Sequence, residues 1–122
     1  MSIMTAMSVL LLAQATPGAL PEESSETRAA AFEQISAGEN REAIAMLQAA
    51  LLDNPDDPAL LINLGSAHAQ LGEIERAMSY YQAAETSKIR YWLELADGEW
   101  VDSRRAARIA LLSLEERALA MR

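Results

Sequence analysis

The side chains able to do chemistry are few. His68 is the one histidine and there is no cysteine. That excludes disulfides, thiol nucleophiles, cysteine-bound zinc or iron–sulfur clusters, lipid attachment to an N-terminal cysteine and most multi-histidine metal sites. Asp53-Asn54-Pro55-Asp56-Asp57 offers carboxylates to a cation, but Pro55 interrupts the run and no loop glycine or closing glutamate follows. It reads instead as the stop of one helix and the start of another. Glu22-Glu23 and Glu115-Glu116 read as solvated helix faces, and neither a phosphate-cradling glycine loop nor a nucleophile elbow is present. The expectation is a chain without catalytic residues, metal or cofactor.

Composition says what must position the remaining groups. Ala (24) and Leu (17) account for a third of the 122 residues, and aromatic residues for only 5%. This balance favours helix packed on helix within one domain. Lys and Arg number 10 against 18 Asp and Glu, a net charge of −8, so phosphate backbones and anionic lipid repel the chain and nucleic acid is not an expected ligand.

An offset of 34 residues superimposes 24–57 on 58–91: Gly38 falls on Gly72, Glu39 on Glu73, Ala43 on Ala77, Leu47 on Tyr81 and Ala50 on Ala84. The spacing predicts helices over 22–37 and 41–52, the second capped by Asn40, then helices over 58–71 and 74–86. Pro58 behind Asp57 suits the first turn of the third helix, and Gly38 and Gly72 suit helix ends. Gly65, Ala77 and Ala84 are small where backbones must meet; Leu64, Leu71 and Tyr81 fill the space between turns.

In the second copy, Leu61-x-x-Leu64-Gly65-x-x-His68, Leu71-Gly72-Glu73 and Ala77-x-x-x-Tyr81-x-x-Ala84 resemble the tetratricopeptide repeat, with His68 where that family carries an aromatic. The first copy keeps Gly38, Ala43, Leu47, Ala50 and Pro55, but has Ala30-Ala31 where Leu64-Gly65 stand. The resemblance implies an all-α helix-turn-helix solenoid of two repeats, within a domain spanning 22–122. It also implies a non-catalytic module that binds a protein partner, as a peptide or helix, in a concave groove lined by the first helix of each repeat. Carried over position by position, the groove residues are Arg28, Phe32 and Ile35 in the first unit and Ile62, Asn63, Ser66 and Gln70 in the second. Phe32 replaces an asparagine that carboxylate-gripping members carry, so an apolar or mixed peptide is expected.

Both ends depart from the repeat. Residues 1–20 carry no side-chain charge, and Val9-Leu10-Leu11-Leu12-Ala13 followed by Ala13-Gln14-Ala15 fits a secretory signal cleaved after Ala15. With 16–21 as linker, that implies a periplasmic or secreted protein; without cleavage, a tail on a cytoplasmic one. The apolar block is too short for a spanning helix. Beyond the repeats, 92–122 reads as a cap. Asp97-Gly98 between Ile89–Leu95 and Glu99-Trp100-Val101 signals a β-hairpin, a short divergent helix being the alternative. Asp102 or Ser103 then caps a helix over 104–121 with Ile109, Leu112 and Leu119 on its apolar face, and the clustered aromatics are expected in the cap's core. Residues 22–63 sum to −7 and 103–122 to +3. The basic end is therefore expected to pair with the acidic first repeat, within one chain or between copies. Self-assembly without a peptide ligand is the alternative function.

Overall fold

The computed structural model describes residues 11–12, 30–95 and 97–121. Among the described residues there are five helices and a small antiparallel sheet. In order these are β1 (Leu11–Leu12), α1 (described over 30–36), α2 (Asn40–Asp53), α3 (Pro58–Gln70), α4 (Ile74–Thr86), β2 (Trp92–Leu95), β3 (Trp100–Asp102) and α5 (Ser103–Ala120). The sheet order is β1-β2-β3.

The 34-residue offset reappears as duplicated backbone geometry. Gly38 and Gly72 end α1 and α3 with φ of +81° and +79°. A Cβ on either would meet nothing within 4 Å, so backbone conformation rather than space requires glycine there. At both ends the next amide reaches back: Glu39 N–H donates to Gln34 O at 2.8 Å and Glu73 N–H to His68 O at 2.9 Å. Glu39 and Glu73 then precede α2 and α4 without a side-chain cap. The expected Asn40 cap is not formed. Asn40 is already the first residue of α2 and is buried, its Nδ2–H donating to Gly38 O at 3.4 Å. Asp57 does cap α3: its Oδ1 accepts from Ala59 N–H at 2.9 Å and Leu60 N–H at 3.3 Å, with Pro58 in the first turn.

α3 packs against α4 and α2, and also touches α5 and β1. One apolar cluster joins Ala31 and Ile35 of α1 to Ala43, Leu47, Leu60, Leu64 and Ala67. The other joins Ala59, Leu61, Ile62 and Ala69 of α3 to Tyr81, to Leu93, Leu95 and Val101 of the sheet, and to Ala106, Ala107, Ala110, Leu111 and Leu114 of α5. α3 thus separates two cores. The hairpin forms as Asp97-Gly98 signals, with Trp92↔Asp102, Leu93↔Val101 and Glu94↔Trp100 opposite one another.

Two features of the C-terminal third differ from expectation. Leu112 and Leu119 of α5 are 54% and 65% exposed and Ile109 is half-buried, because Ala106, Ala107 and Ala110 allow the closer approach to α4 and so define the buried face. Trp92 and Trp100 lie outside the cap core at 56% and 43% exposure, because strand alternation turns Leu93, Leu95 and Val101 inward and therefore turns both tryptophans outward.

Gly65 is where α3 and α4 come closest. A Cβ there would fall 2.5 Å from Tyr81 Cδ1 and 3.0 Å from Cζ. The Tyr81 ring cannot swing aside readily, being buried and hydrogen-bonded to Ser66. Gly65→Ala sets a helix-propensity gain of about 1 kcal/mol against an overpacking cost of about 1–3 kcal/mol. Net destabilisation of up to about 2 kcal/mol is expected in urea unfolding, with Gly65→Leu more severe; a stabilised Gly65→Ala chain would contradict the close contact.

Candidate functional site

The groove residues named from the repeat pattern do not share one surface. Ile35 is 1% exposed and belongs to the α1–α2–α3 core. Ile62 is fully buried in the core shared with the sheet and α5. Asn63 and Ser66 are buried at 0% and 1% exposure, Phe32 is half-buried and Gln70 is exposed. Arg28 lies outside the described residues. The side of α3 facing away from its repeat partners is covered because α5 and β1 both lie on that helix. In this state Ile35, Ile62, Asn63 and Ser66 act in packing, and no incoming chain reaches them.

Two polar side chains of α3, Ser66 and His68, are drawn into the interior and meet partners on or just before α4. Ser66 Oγ and Tyr81 Oη are 3.1 Å apart. His68 is 2% exposed, stacks on Tyr80 with ring centroids 5.3 Å apart, and places Nδ1 3.1 Å from Glu73 Oε1. The carboxylate is acceptor-only, so Nδ1 carries the hydrogen and His68 is a packed residue at the family's aromatic position. Among the described residues, no group of three or more His, Asp or Glu could hold a metal ion, and no helix is long and apolar enough to cross a membrane.

Among the described residues, the basic start of α5 finds its partners at the end of α4 rather than on the acidic first repeat. Arg108 Nη2–H and Nε–H donate to Glu85 Oε1 at 3.1 and 3.3 Å, and Arg104 Nη2–H donates to Ser87 O at 2.9 Å. The β2–β3 hairpin folds back so that α5's N-terminal end lies beside α4's C-terminal end, whereas the first repeat lies on the far side of α3. Asp102 completes this junction. Its Oδ1 accepts from Arg104 N–H at 2.8 Å as the α5 cap, and its Oδ2 accepts from Arg90 Nε–H at 3.0 Å. Burial works against ionisation of Asp102, yet the Arg90 hydrogen bond, the α5 amides and the Arg90 charge together bring its pKa below the usual carboxylate value.

The feature that sequence reasoning missed is β1. Leu11 and Leu12 pair antiparallel with Leu95 and Glu94, so an extended segment of the chain lies at the outer edge of β2 and against α3. The apolar run Val9–Ala13 carried the signal, but it serves an export segment equally well.

Residues 28–89, about half of the chain, match the family model described as tetratricopeptide repeat, and the chain belongs to that family. Repeats of this family generally mediate protein–protein interaction, and the family is typically non-catalytic. No curated protein and no solved structure matches the chain.

Burial raises the Tyr81 phenol above its usual 10.0, against the opposing Ser66 hydrogen bond and Arg117 charge. Above that value the unfolded chain loses the proton before the folded chain does. The associated stability is therefore full below about pH 10 and lost as pH rises through the folded-state pKa, by at most about 1.4 kcal/mol per pH unit. Urea melts at pH 9 and pH 11 should show a steeper loss for the wild type than for Tyr81→Phe; equal losses would contradict a buried phenol.

Proposed function

We propose that this chain is a non-catalytic interaction module that takes an extended, apolar protein segment along the edge of β2 and over α3, the course β1 follows here. One observation carries the reading: β1 pairs with β2 in register while touching α3. An extended stretch of the chain already lies against α3 of the second repeat. Strand addition supplies backbone hydrogen bonds irrespective of sequence, and the helix beneath selects apolar side chains. The groove of the repeat pattern is retained in this proposal, but its outer wall is the β2 edge rather than the buried Asn63 and Ser66.

β1 also acts as a tethered competitor, since a covalently attached segment works at an effective concentration on the order of millimolar. The N-terminal segment reads as an export signal, and cleavage after Ala15 would take β1 away and free the edge in a periplasmic or secreted chain. The self-assembling alternative draws on Leu112, Leu119 and Met121, exposed at 54%, 65% and 68% on and just beyond α5.

A fluorescent peptide with the sequence of residues 8–15 tests the proposal. Leu12→Pro removes the backbone donor of β1, and the substituted chain should bind the peptide at least about 10-fold more tightly than the wild type, where tethered β1 competes. The exported chain should begin at Thr16 and bind as the Leu12→Pro chain does. Equal affinity in the wild type and Leu12→Pro would contradict the edge site. A concentration-dependent dimer that the peptide leaves intact would favour self-assembly.

A further inference from the structure

The outward face of the hairpin is a four-cornered arrangement of two tryptophans and two carboxylates. Trp92 stands opposite Asp102 and Trp100 opposite Glu94, while the alternate residues Leu93, Leu95 and Val101 are buried. Directly opposed residues lie about 5 Å apart and diagonal ones about 7–8 Å apart, so the two indoles, 56% and 43% exposed, share one small surface. Exposed tryptophan in this number is unusual for a sheet face that meets only water.

The two corners differ in one respect. At the Trp92 corner, Asp102 is held by the chain's own Arg90, whose Nε–H donates at 3.0 Å and whose Nη2–H also donates to the same oxygen. At the Trp100 corner stands Glu94, followed in the turn by Asp97, whose Oδ1 accepts from Glu99 N–H at 2.9 Å, and by Glu99, which pairs with Leu95; no Lys or Arg occurs in residues 93–101. No ion pair joins those three carboxylates among the described residues. The same pairing of indole and carboxylate is thus satisfied by an internal guanidinium at one corner and, among the described residues, meets no cation at the other.

We infer that the Trp100 corner of the hairpin is a docking surface for an arginine-bearing basic segment of a protein partner. A guanidinium stacks on an indole face and bonds to carboxylates in the same plane, which a compact ammonium does less well. Arginine is accordingly preferred over lysine. The net charge of −8 steers a basic segment toward the chain and opposes a second copy, which would bring another −8 to the same face. Trp100 lies on β3, away from the β2 edge that β1 pairs with, while Glu94 borders both surfaces, as the partner of Leu12 on one side and of Trp100 on the other.

The probe is a heptapeptide of alternating Gly and Arg, titrated into the full chain and followed by NMR of the two indole Nε1–H groups. The Trp100 indole signal should move most. Trp100→Ala should weaken binding about 5-fold, as loss of a cation–π contact of about 1 kcal/mol implies, and Glu94→Gln should weaken it by a similar factor. The lysine counterpart should bind more weakly, and raising salt from about 50 to 300 mM should weaken both. Unchanged melting of both variants keeps folding apart from binding. Shifts confined to amides of the acidic residues 33–57, affinity indifferent to both variants, or Trp100 covered in a concentration-dependent dimer without peptide would each overturn the assignment.

Discussion

α3 is a helix with no solvent side, and that constraint governs the rest of the structure. Of its thirteen residues, all but Gln70 are buried, which a two-helix repeat unit cannot achieve alone. α2 and α4 cover two flanks, and the remaining flank is closed only because α5 and β1 also rest on α3. The apolar cores on its two sides make α3 a partition between the first repeat and the C-terminal third. Ser66 and His68 are buried with hydrogen bonds that travel with them, to Tyr81 and Glu73, although His68 Nε2 is buried without a hydrogen-bond partner among the described residues.

This arrangement answers how a chain with two repeats closes a solenoid that usually needs about three to be stable. The closing elements are unlike the repeat. α5 lies against α4 through alanines, and the hairpin places Leu93, Leu95 and Val101 over the exposed end of the core. The junction is fastened by local bonds: Asp102 caps α5 and pairs with Arg90, Ser103 N–H donates to Tyr91 O at 2.8 Å, and Ser87 donates to Asp56 O from the end of α4. Surface pairs such as Arg108–Glu85 add little stability by themselves but fix which helix ends meet.

Much of this was legible in the residues. Gly38 and Gly72 marked the duplicated helix ends, Asp57-Pro58 the start of α3, Asp97-Gly98 the hairpin and Asp102 the α5 cap, because each is a local conformational requirement visible in one or two side chains. The groove was not legible, since a repeat pattern fixes which way Ile62, Asn63 and Ser66 face but not what the rest of the chain lays over them. A hint lay in the stretch from Pro58 to Gln70, which has no charged residue, the mark of a helix enclosed on all sides. The outward tryptophans follow from strand alternation once Leu93, Leu95 and Val101 are known to be inside, a register that hydrophobicity alone left undecided among five neighbouring aromatics. β1 depends on long-range pairing, to which two leucines in an apolar run give no unique address.

Native-state hydrogen exchange tests the enclosure of α3 most directly. If every face of that helix is covered, its central amides between Leu64 and Ala69 open only with the whole molecule, and their exchange free energy should equal that of global unfolding. Exchange of those amides through local opening, as fast as in the solvent-facing α2, would mean that one flank of the helix is free and that the chain closes its repeats in some other way.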